Sequence, residues 1–102
     1  MLPLMSDNRR PPDISVYLDA IDDFITHATS AASFERSFLQ AFKAERRTLG
    51  EPVYPILEEL FEDADAYVAD PNLRTGPDDV DDERLLESAR RARRALRDIG
   101  FE

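Results

Sequence analysis

Between residues 53 and 68 the apolar side chains Val53, Ile56, Leu57, Leu60, Phe61, Ala64, Tyr67 and Val68 recur at helical spacing. At about 100° per residue they fill one continuous arc, which commits this stretch to an amphipathic helix buried along that arc. Pro52 suits the opening turn of such a helix. The same stretch carries Glu58, Glu59, Glu62, Asp63 and Asp65 on its other side. Like charges three and four apart on a helix repel, at roughly 0.2–0.5 kcal/mol per pair. A fold built on this helix must therefore bury one side and leave the other to water or to a cationic partner.

Three more stripes accompany it. After "PPD", Asp13 can cap a helix whose Ile14, Tyr17, Leu18, Ile21, Phe24, Ile25 and Ala28 share a face. A second helix is predicted to open at Thr29 or Ser30, to be lined by Phe34, Phe38, Phe42 and Leu49, and to stop at Gly50. The last is capped by Asp81 or Asp82 and lined by Leu85, Leu86, Ala89, Ala92, Leu96 and Ile99. "ADPNLRTGPDD" reads as the connection before it. No alternating strand pattern competes. The fold class predicted is all-α, an antiparallel four-helix bundle with helices of about 15–19 residues. Residues 1–12 are expected to form a flexible arm, and residues 13–102 a single helical domain that is monomeric when free.

Charge narrows the function. The net charge of −9 is concentrated: residues 51–87 hold thirteen acids and two arginines, whereas residues 88–102 hold five arginines and two acids. Phosphate backbones demand a basic footprint, so nucleic acid is not the expected partner. A basic protein found by electrostatic steering is. Arginine outnumbers lysine twelve to one, so part of the acidity can reflect compositional bias or adaptation to salt. The chain lacks cysteine, and with it disulfides and thiolate metal sites, which fits a cytoplasmic location. No apolar run reaches 18 residues, so no membrane span is predicted. The apolar start is too short for a secretory signal, and its arginines lie on the wrong side.

Other chemistries find little support. "DPNLRTGPDDVD" begins like a calcium loop at Asp70 and Asn72. It then places Arg74 at the fifth position, glycine at the seventh instead of the sixth, and Asp81 where a bidentate glutamate belongs. No metal or cofactor is expected. His27 is the only histidine, placed near the end of helix one where a partly positive imidazole suits the dipole. No serine lies in a G-x-S-x-G elbow, and no enzymatic activity is expected. Arg90, Arg91, Arg93, Arg94 and Arg97 occupy the last turns of helix four. There they complement the dipole and can neutralise the neighbouring acidic helix, and Glu87 can pair with Arg90 and Arg91.

What remains is the acidic face. Glu58, Glu62 and Asp65 fall opposite the apolar arc, Glu59 and Asp63 flank them, and Asp70 continues the field into the loop with Asp78, Asp79, Asp81 and Asp82. Asp22 and Asp23 on helix one are read as acids of little consequence for binding. The stretch "ILEELFEDADAYVADPNLR" followed by "DVDDERLLESARRA", with "FERSFLQAFKAERR" upstream, resembles the colicin D immunity protein family over roughly residues 14–98. These are bacterial self-protective colicin-like immunity proteins. The resemblance includes Leu60, Phe61 and Tyr67 in the core of helix three, and the exit at Asp70, Pro71, Leu73 and Arg74. It departs in an extra N-terminal arm and a longer, proline-interrupted connection. It implies a helical bundle that binds the nuclease domain of a cognate bacteriocin or polymorphic toxin, of the transfer-RNA-cleaving type. Acidic residues would cover the basic active site in place of RNA phosphates. It implies toxin-facing roles for Asp65 and Asp70, with Glu59 also matching an acid; Glu58 and Glu62 complete the predicted toxin-binding set. The alternative is an acidic helical interaction module with an unrelated basic partner.

Overall fold

The computed structural model describes residues 13–68 and 80–101. Four helices follow in chain order: α1 (Ser15–Ile25), α2 (Ala31–Lys43), α3 (Val53–Asp65) and α4 (Asp82–Asp98). α1 packs between α2 and α4, and α3 packs between the same two from the opposite side, with α2 touching α4 across the diagonal. Chain neighbours run antiparallel. Tyr17, early in α1, reaches Ala41 and Glu45 at the far end of α2. Asp63, late in α3, meets Ser88, while Glu59, one turn earlier, meets Arg91. The four-helix bundle is therefore the observed architecture. Among the described residues no helix is long and apolar enough to cross a membrane.

The core follows the predicted stripes. Ile14, Tyr17, Ile21 and Phe24 of the first stripe, Phe34 and Phe38 of the second, Val53, Leu57, Leu60 and Ala64 of the third, and Leu85, Ala89, Ala92 and Leu96 of the fourth are all buried. Residues 34, 38 and 42 lie four apart and so share one face of α2. Their rings stack in series, Phe24–Phe34 at 4.7 Å, Phe34–Phe38 at 5.4 Å and Phe38–Phe42 at 5.9 Å between centroids. Such pairs add about 0.5–1.5 kcal/mol beyond burial alone.

Helix ends explain where the expectations miss. α2 stops at Lys43, not at Gly50, because Glu45 leaves the helix to serve other groups. Its carboxylate accepts the Tyr17 hydroxyl at 2.6 Å and two donors of Arg47, Nε at 2.8 Å and a terminal nitrogen at 2.9 Å. Arg47 then donates to the Asp13 carbonyl at 2.7 Å, locking the loop to the entry of α1. Leu49 is buried all the same, from the loop. Gly50, at φ +74°, turns the chain into α3, and its carbonyl accepts the Tyr54 amide.

α1 ends at Ile25, so Ala28 is exposed and His27 lies beyond the helix with φ +68°. The Ala28 amide bonds the Asp23 carbonyl and the His27 amide bonds that of Phe24, the Schellman closure in which glycine usually takes the left-handed position. α4 closes the same way with Gly100 in that place. Ser30 caps α2 and Asp81 caps α4, as predicted. Asp13 does not cap through a standard geometry; its carboxylate instead accepts both the amide and the hydroxyl of Ser15, which holds its pKa below the ordinary value.

The first three helices are shorter than the predicted 15–19 residues, at 11, 13 and 13, whereas α4, at 17, falls within that range. Tyr67 and Val68, expected on the third helix, lie past its end. There Tyr67 forms an isolated parallel bridge with Val80, a core residue that the loop reading overlooked. Phe61 and Phe42 are half-buried, and Ile99 is exposed. Residues 1–12, read as an arm, lie outside the described residues.

Candidate functional site

Burial of Val53, Leu57, Leu60 and Ala64 fixes the rotation of α3 and so decides which of its acids face outward. Glu58, Glu62 and Asp65 fall on the opposite side and are exposed. Among the described residues none of the three has a cationic partner. Glu59 and Asp63 lie on the edge toward α4 and do have one: Arg91 reaches Glu59 at 3.9 Å and Asp63 at 3.6 Å. Asp63 also accepts the Ser88 hydroxyl and is half-buried. The five acids thus divide. Two are drawn into the α3–α4 seam, and three form an uncompensated strip along the solvent face.

The remaining acids of the predicted field have other duties or lie elsewhere. Asp81 is the N-cap of α4, accepting the Arg84 amide at 2.8 Å. Asp82 accepts the Tyr67 hydroxyl and so helps hold the bridge between residues 67 and 80. Asp70, Asp78 and Asp79 lie outside the described residues, as does most of the calcium-like loop. Among the described residues no three His, Cys, Asp or Glu side chains gather as metal ligands do.

The arginine cluster also divides. Arg93 is buried, with Nε donating to Asp22 at 2.8 Å and a terminal nitrogen donating to the Phe101 carbonyl at 2.6 Å. Asp22 is therefore structural, not an idle acid. Arg91 serves the seam with α3, and Arg90 pairs loosely with Glu87 at 3.7 Å; the predicted pairing of Glu87 with Arg91 is not made. Arg90, Arg93, Arg94 and Arg97 with Ile25 line a shallow cavity of about 200 Å³. A second, of about 260 Å³, lies between the end of α1 and the start of α4, lined by His27, Thr29, Ser30 and Asp82 among others. Ser30 is occupied there as the cap of α2, and the buried Thr29 hydroxyl has no hydrogen-bond partner among the described residues.

At the other end of α1, the Tyr17–Glu45–Arg47 cluster perturbs titration most. The Arg47 guanidinium, aided by the Tyr17 hydroxyl, holds the Glu45 carboxyl down at about 2. Burial, then the hydrogen bond to Glu45, pushes the Tyr17 hydroxyl well above its ordinary value. Both shifts accompany the bonds that Tyr17, Glu45 and Arg47 make to one another in holding the loop against α1.

The outward face of α3 thus carries three acids without a cationic partner among the described residues, and the groups whose titration is perturbed serve the fold. A family model described as bacterial self-protective colicin-like immunity matches residues 13–96. The chain belongs to this colicin-like immunity family. Searches of the curated proteins and of the solved structures found no match. Membership in the family carries a self-protective role against a bacteriocin, exercised by an inhibitor that binds the toxin rather than by an enzyme. The match begins at Asp13, where the described structure of the immunity domain begins, and runs to Leu96 in the last turn of α4.

Proposed function

We propose that this immunity-family chain neutralises the nuclease domain of a cognate bacteriocin or polymorphic toxin, of the colicin D type, by seating the outward face of α3 in its cationic active site. The observation that carries the reading is the division on α3. Glu58, Glu62 and Asp65 are exposed with no cationic partner among the described residues, while Glu59 and Asp63 are answered by Arg91. A solvated face evolved for stability alone would place its available arginines to relieve the strip. Left unrelieved, the strip repels itself weakly in the free protein and gains fully when cations arrive. Three carboxylates one helical turn apart offer negative charge at intervals of about 5–6 Å, a spacing that suits a site shaped for successive phosphates. Glu59 contributes after exchanging Arg91 for a toxin cation. Asp70 extends the same field on the strength of the family resemblance.

The test is protection in cells that express the toxin domain encoded beside this gene. Glu62→Arg with Asp65→Arg should abolish protection and one-to-one inhibition while helical content stays the same. Asp19→Arg, an exposed reversal on α1, should leave protection intact. Neutralisation by the double reversal at one-to-one would remove α3 as the binding face. RNA and the immunity protein should also exclude one another from the toxin; a ternary complex would sink the active-site mimicry.

A further inference from the structure

The aromatic series in the core does not end inside the bundle. Phe42 packs against a tilted Phe61 ring at 5.1 Å and stacks on Tyr54 at 5.7 Å between centroids, carrying the series to the surface along the α2–α3 seam. Phe42 and Phe61 are half-buried, and Tyr54 is 42 % exposed. Its hydroxyl makes no hydrogen bond among the described residues. The ring is therefore backed by a rigid stack and bare in front.

Its position relative to the acids matters more than its exposure. Tyr54 lies one turn before Glu58, and Phe61 one turn before Asp65, so each ring has a carboxylate beside it on α3. An apolar partner surface pressed on Tyr54 would strip water from Glu58 without giving it a hydrogen bond, which is costly. A guanidinium meets both demands. Its plane stacks on an aromatic face, its N–H fork pairs with a carboxylate, and it sheds water more readily than an ammonium.

We propose that Tyr54 and Glu58 form an anchor for an arginine of the toxin, so that the interface extends from the acidic strip onto the α2–α3 seam. This rests on the toxin-binding reading of α3. The strip governs encounter and the anchor governs lifetime, because long-range charge acts on the on-rate while a desolvated, well-packed contact acts on the off-rate.

The experiment is a binding-kinetics series against the catalytically inactivated toxin domain encoded by the neighbouring gene. Tyr54→Ala should raise the dissociation rate about 10-fold with little change in the association rate. Tyr54→Phe should bind like wild type, whereas Tyr54→Leu, which keeps apolar area but has no π face, should behave like the alanine variant. Glu58→Gln combined with Tyr54→Ala should lose less than the product of the single losses, since one arginine serves both. Thermal melts of each variant confirm the fold. An unchanged dissociation rate for Tyr54→Ala would overturn the anchor, and so would wild-type behaviour of Tyr54→Leu. In either case, loss of binding in Glu62→Arg with Asp65→Arg would leave the toxin reading standing. A wild-type protein that does not bind the domain would overturn that reading, and the anchor with it.

Discussion

The Arg93 guanidinium donates to Asp22 across the α1–α4 interface at 2.8 Å, from a side chain only 6 % exposed to a carboxylate 47 % exposed. With its second bond to the Phe101 carbonyl, Arg93 ties two helices and the chain's last described residue together. Asp22→Ala leaves a buried cation short of its acceptor. The loss should be roughly 1–3 kcal/mol, below the 3–5 kcal/mol of a fully buried pair because water already shares Asp22. Urea melts with matched m-values measure it. A change under about 0.5 kcal/mol would mean that solvent replaces the carboxylate at no cost.

Acid should expose the Glu45 cluster. Its folded pKa, about 2, lies below the ordinary value of 4.5, so the stabilisation is fully present above about pH 5 and is lost as pH falls through the folded value. The difference in stability between wild type and Glu45→Gln should be largest near neutrality and shrink between pH 4.5 and 2. A difference that stays constant over that window would deny the ion pair its role.

His27 holds the left-handed position that closes α1, a conformation costing an L-residue about 1–2 kcal/mol. His27→Gly should stabilise the protein by about 0.5–1 kcal/mol, after the greater entropy of glycine in the unfolded chain is counted. Thermal melting at a pH where histidine is neutral separates this from any charge effect. Destabilisation would show that the imidazole itself is needed.

Core substitutions should separate two residues that periodicity treats alike. Leu57 is fully buried, and Leu57→Ala should cost about 2–5 kcal/mol. Phe61 is half-buried on the α2 side of α3, and Phe61→Ala should fall below the 3–5 kcal/mol of a fully enclosed phenylalanine. Equal losses at the low end would indicate that Leu57 is less enclosed than it stands here.

Salt should slow encounter with the toxin more than escape from it. Association is expected to approach about 10⁸–10⁹ M⁻¹s⁻¹ at low ionic strength and to fall steeply as the field is screened. Stopped-flow rates across a salt series decide the matter, and an on-rate indifferent to salt would contradict steering by the α3 strip.

The helices were legible because period 3.6 repeats four times and the caps at Ser30 and Asp81 are local. Their ends were less so. Nothing adjacent to Glu45 reveals that Tyr17, 28 positions earlier, will claim its carboxylate. Leu49 shows the consequence: its burial was correctly read, yet it arrives by loop instead of helix. Arg93 was hidden for a similar reason. Among five arginines in eight residues, only the packing against α1 selects the one that is buried. The rotation of the α3 strip was legible from its apolar arc. The partners of Glu59 and Asp63 depend on how α4 lies alongside, and the helix-four arginines only hinted at them.

Among the described residues Glu58, Glu62 and Asp65 support no cap, seam or core contact, so exchanging them should move stability by no more than about 0.5 kcal/mol. On the proposed reading, the three acids that meet the toxin first are positions that the fold does not use. If the strip is the binding face, a lineage of such chains can change its adversary through single replacements along it, each intermediate remaining a folded protein. The Asp22–Arg93 tie offers less freedom, since losing the carboxylate takes an acceptor from a buried guanidinium.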